Sequence, residues 1–199
     1  MKSIAIIGAG GHAKVLVDLI NKLNYYKIIG FYDDNTNSKL YNLKYLGRII
    51  DIDASIEYFI IGIGNDRIRK KISEENKNLN WATLIHPTVI LSNNITIDHG
   101  TVIFAGVIIQ TDVKIGEHCI LNTGCSIDHE CVIGDFSSIC PQATICGQVK
   151  IGNSCFIGAN ATIIQCIELG NDCIIGAGSV IIKNVDNFVK VVGNPGRKI

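Results

Sequence analysis

His129 stands between two acids, Asp128 and Glu130, in a stretch (CSIDHECVIG, 125–134) otherwise built from small and aliphatic residues. The chemistry such a group can do is proton transfer. A carboxylate bonded to one imidazole nitrogen fixes the tautomer, favours the imidazolium and makes the other nitrogen a better proton acceptor. Neighbouring residues of a strand point to opposite faces, so a corner in the chain must bring Glu130 round to the ring. A second group lies near the start. Gly8-Ala9-Gly10-Gly11-His12-Ala13 follows the pattern G-x-G-x-x-A. Glycines in such a turn let a diphosphate approach the backbone, and the next helix offers free N–H groups and a positive dipole end. Asp33 follows about twenty residues later, the spacing at which an acid can accept hydrogen bonds from a ribose or a base.

What must position His129 is a repeat. From Ile85 in steps of six, the chain runs through Leu91, Ile97 and so on to Ile181, seventeen consecutive aliphatic hits. Four residues after each comes a small or β-branched side chain, such as Val107, Cys119, Cys125, Cys131, Ala143 or Cys155. A period of six suits neither a helix at 3.6 nor a plain strand at two. It fits a hexapeptide parallel β-helix, in which each hexapeptide is one side of a triangular coil and eighteen residues close a turn. The run predicts about 5 to 6 turns, the aliphatic residues pointing to the axis. His129 then faces outward and Cys125 and Cys131 inward. The remaining coil histidines, His99 and His118, read as surface residues.

What must position the glycine turn is a different rhythm. SIAIIGAGGHAKVLVDLINKL reads as a buried strand (Ile4 to Ile7), a turn, and a helix with Val15, Leu16, Leu19 and Ile20 on one face. KIIGFYDD and YFIIGIGN supply two more strands, giving a small parallel sheet of Rossmann type. Residues 1–80 form this domain and 81–199 the β-helix. About eighty residues offer only half of a dinucleotide site, so a single nucleotide fits better than NAD. His12 reads either as a phosphate contact or as a solvated first-turn histidine. The run Arg67, Arg69, Lys70, Lys71 reads as a solvated helix face.

Composition narrows the classes. Eighteen Lys and Arg balance eighteen Asp and Glu, leaving no basic face to capture nucleic acid. No apolar run approaches the ~18 residues that span a bilayer, and MKSIAIIGAGGHA is broken by glycine. The expected location is cytoplasmic. Eight cysteines fall mostly on positions that also accept Ala, Ser, Thr and Val, with no C-x-x-C, so they read as small core residues, with no metal site and no disulfide.

GAGGHAKVL, the HPTV opening at His86 and Pro87, ILNTGCSIDHECVIGDFS, GANATI, GAGSVI and the closing VVGNP together resemble the sialic acid O-acetyltransferase and nucleotide-sugar N-acetyltransferase family. Within it the chain is similar to enzymes acetylating the 4-amino group of UDP-linked 4-amino-4,6-dideoxy sugars, as in bacillosamine synthesis. The resemblance spans essentially the whole chain. It implies a left-handed β-helix, acetyl-CoA as donor substrate, a nucleotide-activated amino sugar as acceptor, and a homotrimer with active sites between neighbouring coils. His129 corresponds to the general base and Glu130 to the acid beside it. Gly8, Gly10, Gly11, His12, Asp33, Asp34 and Gly64 match the nucleotide-sugar pocket, and Asn122 lies where acceptor contacts are expected. Gly147, Ala159 and Ala177 match positions against the thioester and pantetheine arm. Ser138, also counted with the acetyl-CoA site, replaces the second histidine that relatives often carry.

The mechanism so implied is direct transfer: the amine attacks the thioester carbonyl, His129 takes its proton, and a backbone N–H near Gly147 meets the oxyanion. An acyl-cysteine step is disfavoured because Cys125 and Cys131 should point inward. The alternative nearest in chemistry is O-acetylation of a sialic or related nonulosonic acid. A zinc carbonic anhydrase of the same fold would need grouped histidines that His99, His118 and His129 do not provide. A non-catalytic nucleotide-sugar sensor is disfavoured by the DHE motif together with the CoA-type motifs.

Overall fold

The computed structural model describes all residues, 1–199. The chain divides into two compact units, Met1–Leu84 and Ile85–Ile199. In the first, β1 (Lys2–Ile7), α1 (Gly11–Leu23), β2 (Tyr26–Tyr32), β3 (Tyr45–Gly47), β4 (Tyr58–Ile61) and α2 (Asp66–Glu75) follow in that order. The strands form a fully parallel sheet in the order β3-β2-β1-β4. Ile4, Ala5, Ile6 and Ile7 are buried on both sides, which is why β1 reads as an unbroken apolar run rather than an alternation. The edge strand β3 was not visible in the sequence, where three residues carry too little pattern.

Helix α1 buries Ala13, Leu16, Val17, Leu19 and Ile20 and leaves Val15 about half exposed, so Val17 rather than Val15 belongs to its apolar face. Gly62 fits closely beneath this helix: a Cβ there would stand 2.8 Å from that of Ala13. The cationic run on α2 is not a uniformly solvated face. Arg69 is 1% exposed, and its guanidinium donates to the carbonyls of Ile63 at 3.2 Å and Gly64 at 3.0 Å. A charge can be buried there because those carbonyls replace its water.

The second unit is the predicted coil. Seventeen two-residue strands run from Leu84–Ile85 to Val180–Ile181, three to a turn, and up to Thr162–Ile163 each is paired in parallel with the strand eighteen residues on. They make three flat faces. The first carries Val102–Ile103, Ile120–Leu121, Ser138–Ile139 and Phe156–Ile157; the second Ile108–Ile109, Ser126–Ile127 and Thr144–Ile145; the third Lys114–Ile115, Val132–Ile133 and Lys150–Ile151. The second residue of each strand points inward, and from Ile103 to Ile181 these axial side chains are at most 4% exposed. Leu91, in the first turn with no coil before it, is 42% exposed. Lys190–Val192 adds a last strand, closed by an antiparallel pairing with Arg197–Lys198.

Burial makes the axial cysteines inert, pushing the thiols of Cys125 and Cys155 up to about 12 and Cys131 to about 11. Size is not all that these positions require. Along one corner Thr101, Cys119, Ser137, Cys155 and Cys173 stack eighteen residues apart, and each donates to a carbonyl fifteen or thirteen residues on: Gly116, Gly134, Gly152, Gly170 and Asp186. Every side chain in the column is a hydroxyl or a thiol, small enough for the axis and able to donate to that carbonyl. The same corner buries His118, which was expected at the surface. Its ring lies flat against Phe136, centroids 5.4 Å apart, and edge-on to His99 at 5.5 Å. His99 itself is exposed and meets Glu117 at 3.1 Å.

Candidate active site

The corner between the second and third faces carries His129 and Glu130. Corners of this coil turn through one residue in the left-handed region. Glu130 is that residue, with φ +59°. The turn swings its carboxylate back beside the preceding ring, so that Oε2 lies 3.0 Å from His129 Nδ1. An ionised carboxylate can only accept, so Nδ1 carries the hydrogen, and in the neutral ring Nε2 is the nitrogen with the lone pair. Asp128 has a different task, accepting the backbone N–H of His129 at 2.8 Å. The Glu130 carboxyl is held below its ordinary range, first by a hydrogen bond from Gln148 and then by the one from His129.

One turn further along the same corner is Gly147. A Cβ built there would stand 2.6 Å from His129 Nε2 and 2.7 Å from Cε1, so the ring occupies the space the missing side chain leaves. The flanking amides of Cys146 and Gln148 donate to Ile163 and His129 in the coil ladder, while Gly147 N–H takes no part in it. His129 Nε2 therefore lies against the outer side of Gly147, whose N–H is not spent in the ladder. A groove on the adjoining second face, lined by Ile108, Gln110, Ser126, Asp128, Thr144 and Cys146 among others, opens beside them. The apolar cavity around Ile181, Val189 and Arg197 lies at the C-terminal end of the coil, apart from this chemistry.

Other coil residues singled out from the sequence sit elsewhere. Ser138 points outward on the first face but is only 8% exposed. Asn122, Ala159 and Ala177 lie on the corner between the first and second faces, Asn122 spending its carbonyl on the N–H of Thr123 at 2.8 Å. One chain does not bring these four to His129.

In the first unit the glycine turn divides into two kinds of glycine. Gly8 has φ +102°, and a Cβ would meet Ile63 Cγ1 at 2.6 Å, so the fold itself requires it. Around Gly10, Gly11 and Gly64 a Cβ would touch nothing within 4 Å. Gly10 and Gly11 leave open backbone at the uncapped N-terminus of α1, and Gly64 does so in the loop between β4 and α2. Asp33 closes the turn: Oδ2 accepts from Ala9 N at 2.8 Å and Oδ1 from Asn35 N at 2.9 Å. Asp34 accepts from Ile49 N at 3.1 Å and lines a cleft with Ile49, Ile50, Lys71, Glu75 and Asn76. His12 is half-buried. Burial, and then the Arg69 charge, push it down to about 4, so any contact it makes near neutral pH is through a neutral ring.

Among the described residues no three His, Cys, Asp or Glu converge as metal ligands, and no helix is long and apolar enough to cross a membrane. A Rossmann-like sheet followed by a hexapeptide coil with a His–Glu pair over a glycine defines a hexapeptide-repeat acyltransferase. The comparisons agree. Residues 3–76 match the PglD N-terminal domain, and residues 130–165 and 148–183 match the bacterial transferase hexapeptide (six repeats). The acetyltransferase domain of PglB from Neisseria gonorrhoeae FA1090, solved with acetyl coenzyme A, is 31% identical, with TM-score 0.93 over 100% of this chain and 99% of that one. A mutant of GDP-perosamine N-acetyl transferase from Caulobacter crescentus, solved with CoA and GDP-perosamine, is 26% identical, with TM-score 0.94 over 100% of this chain and 97% of that one. The UDP-N-acetylbacillosamine N-acetyltransferase of Bacillus subtilis (strain 168) is 37% identical over 106 residues, 49% of each chain. The chain spans about half or less of the length of the curated relatives it matches. It belongs to the nucleotide-sugar N-acetyltransferase family of left-handed hexapeptide β-helices.

Proposed function

We propose that this protein transfers the acetyl group of acetyl-CoA to the 4-amino group of a UDP-linked 4-amino-4,6-dideoxy sugar. The observation that carries the reading is the His129–Glu130 pair, with Nδ1 facing the carboxylate and Nε2 lying over Gly147, whose N–H is unspent in the ladder. The amine nitrogen attacks the thioester carbonyl, and its proton passes to His129 Nε2 as the new C–N bond forms. Glu130 stabilises the resulting imidazolium through Nδ1–H. Gly147 N–H donates to the carbonyl oxygen as negative charge develops on it; when the tetrahedral intermediate collapses the C–S bond breaks, the imidazolium passes its Nε2 proton to the departing sulfur, and CoA leaves as its thiol with His129 neutral again. No group on the enzyme need be acylated, and the core thiols, held protonated by burial, are not available for it.

The open glycines at the α1 N-terminus, with neutral His12, hold the diphosphate by backbone N–H groups and the helix dipole. The cleft beside Asp34 takes the base. UDP rather than GDP is proposed on the likeness to the UDP-N-acetylbacillosamine N-acetyltransferase of Bacillus subtilis, 37% identical over about half of each chain. Incubating the protein with acetyl-CoA and a panel of UDP-, GDP- and dTDP-linked 4-amino sugars, and with sialic acid, tests this by thiol release. Turnover of sialic acid but of no amino sugar would overturn it.

Asparagine at both Asp33 and Asp34 should raise KM for the nucleotide sugar about tenfold and leave that for acetyl-CoA within about twofold, since both acids shape only the first unit's site. Steady-state kinetics with each substrate varied in turn checks this; equal damage to both would place the acceptor elsewhere.

A homotrimer would account for the separation of the coil residues. Asn122, Ser138, Ala159 and Ala177 complete a site with His129 only if a neighbouring coil presents them. Val102 and Phe104 are buried within one chain, but Ile90 and Ile108 remain 59% and 37% exposed on the second face. Sedimentation at micromolar concentration should give a trimer. A stable monomer would remove the shared-site arrangement.

A further inference from the structure

We propose that Gln148 is a positioning residue for the reaction, holding the Glu130 carboxylate in the orientation that fixes the His129 tautomer. Three polar side chains stand on one corner, eighteen residues apart: Glu130, Gln148 and Cys166, with φ of +59°, +61° and +61°. Gln148 Nε2 donates to Glu130 Oε2 at 3.0 Å, the same oxygen that faces His129 Nδ1. On its other side Gln148 Oε1 accepts from Cys166 Sγ at 3.3 Å. The two contacts determine which way the amide points, because an ionised carboxylate can meet only the NH2 end and the thiol proton is left for the oxygen.

The need for such a brace lies in the exposure of the pair. The side chains of His129 and Glu130 are 49% and 53% exposed. A glutamate in water would sample several rotamers, and free imidazole places its proton on either nitrogen. Neither neighbouring coil supplies another donor to Oε2: Asp112, on the same corner one turn earlier, is itself an acid, bonded to Thr111 Oγ1. Gln148 thus restricts Glu130 to the rotamer in which one oxygen accepts two hydrogens. The catalytic nitrogen is then free of its own proton before substrate arrives, a preorganisation of the kind outer hydrogen bonds give to reacting groups.

This inference rests on His129 being the general base, so the experiment separates the two. Gln148→Met keeps the length and removes the donor. It should lower kcat about 3- to 10-fold with KM for acetyl-CoA changed less than twofold, roughly the effect of losing one hydrogen bond to a charged group in partial contact with water. In a Glu130→Ala background the same substitution should change kcat less than about 1.5-fold, because nothing is left to orient. Two-bond ¹⁵N–¹H correlation spectra of the imidazoles should show His129 mainly as the Nδ1–H tautomer in the unaltered protein and as a mixture in Gln148→Met. Unaltered kcat in Gln148→Met, or an equal loss in the Glu130→Ala background, would overturn the role of Gln148. If His129→Ala keeps its activity, it is the base assignment that fails instead.

Discussion

His129→Ala should lower kcat by about 10²- to 10⁴-fold, the range that removing a general base commonly costs. The fold should not notice. The side chain is half exposed, lies outside the axial Ile and Leu column, and donates to no backbone carbonyl of a neighbouring coil. Binding of acetyl-CoA, followed by calorimetry, should persist. Glu130→Ala should cost less, because it removes the partner of Nδ1–H and leaves the accepting nitrogen in place. An alanine at position 129 with near-normal turnover would return this histidine to the class of ordinary surface residues.

Gly147→Ala should be nearly as damaging, at about 10²-fold in kcat, although it adds a single methyl group. That methyl would need the space in which His129 Nε2 and Cε1 already lie, at 2.6 and 2.7 Å. Since the imidazole is the free end of a side chain, the ring gives way rather than the coil. Tilting it by an ångström takes the accepting nitrogen off the line of the amine proton, a displacement on the scale that costs two orders of magnitude in a preorganised site. Thermal unfolding should shift little, because Gly147 φ is not in the left-handed region and the ladder bonds of its neighbours are unaffected. A kcat within threefold of the unaltered protein, with stability unchanged, would show that the ring does not need the place it occupies.

The six-residue period determined a great deal by itself. It set the inward residues from Ile85 to Ile181, the outward position of His129, the inert character of the axial thiols and an eighteen-residue turn. It could do so because a solenoid repeats one local geometry, so position modulo six decides the direction of a side chain whatever its neighbours are. The turn of eighteen also held information that residue types alone do not advertise: Gly147 under His129 and Gln148 beside Glu130 are one step of eighteen away. Within the first unit, β1 and the glycine turn were legible because their pattern is local.

Only the tertiary structure decided the rest. Arg69 reads as one cation among four on a helix face, yet the helix meets the loop after β4, where the Ile63 and Gly64 carbonyls need a donor, and the guanidinium goes inward. His118 shares its residue type with His99 but stands at the left-handed corner position, where its ring finds Phe136 eighteen residues on. Asp33 reads as a ligand acid and is found closing the turn that such a ligand would use. In each case the sequence specifies what a side chain can do, while its partner is set by which backbone groups the fold leaves unpaired and shuts away from water. That depends on packing between segments far apart in the chain, which no local period encodes.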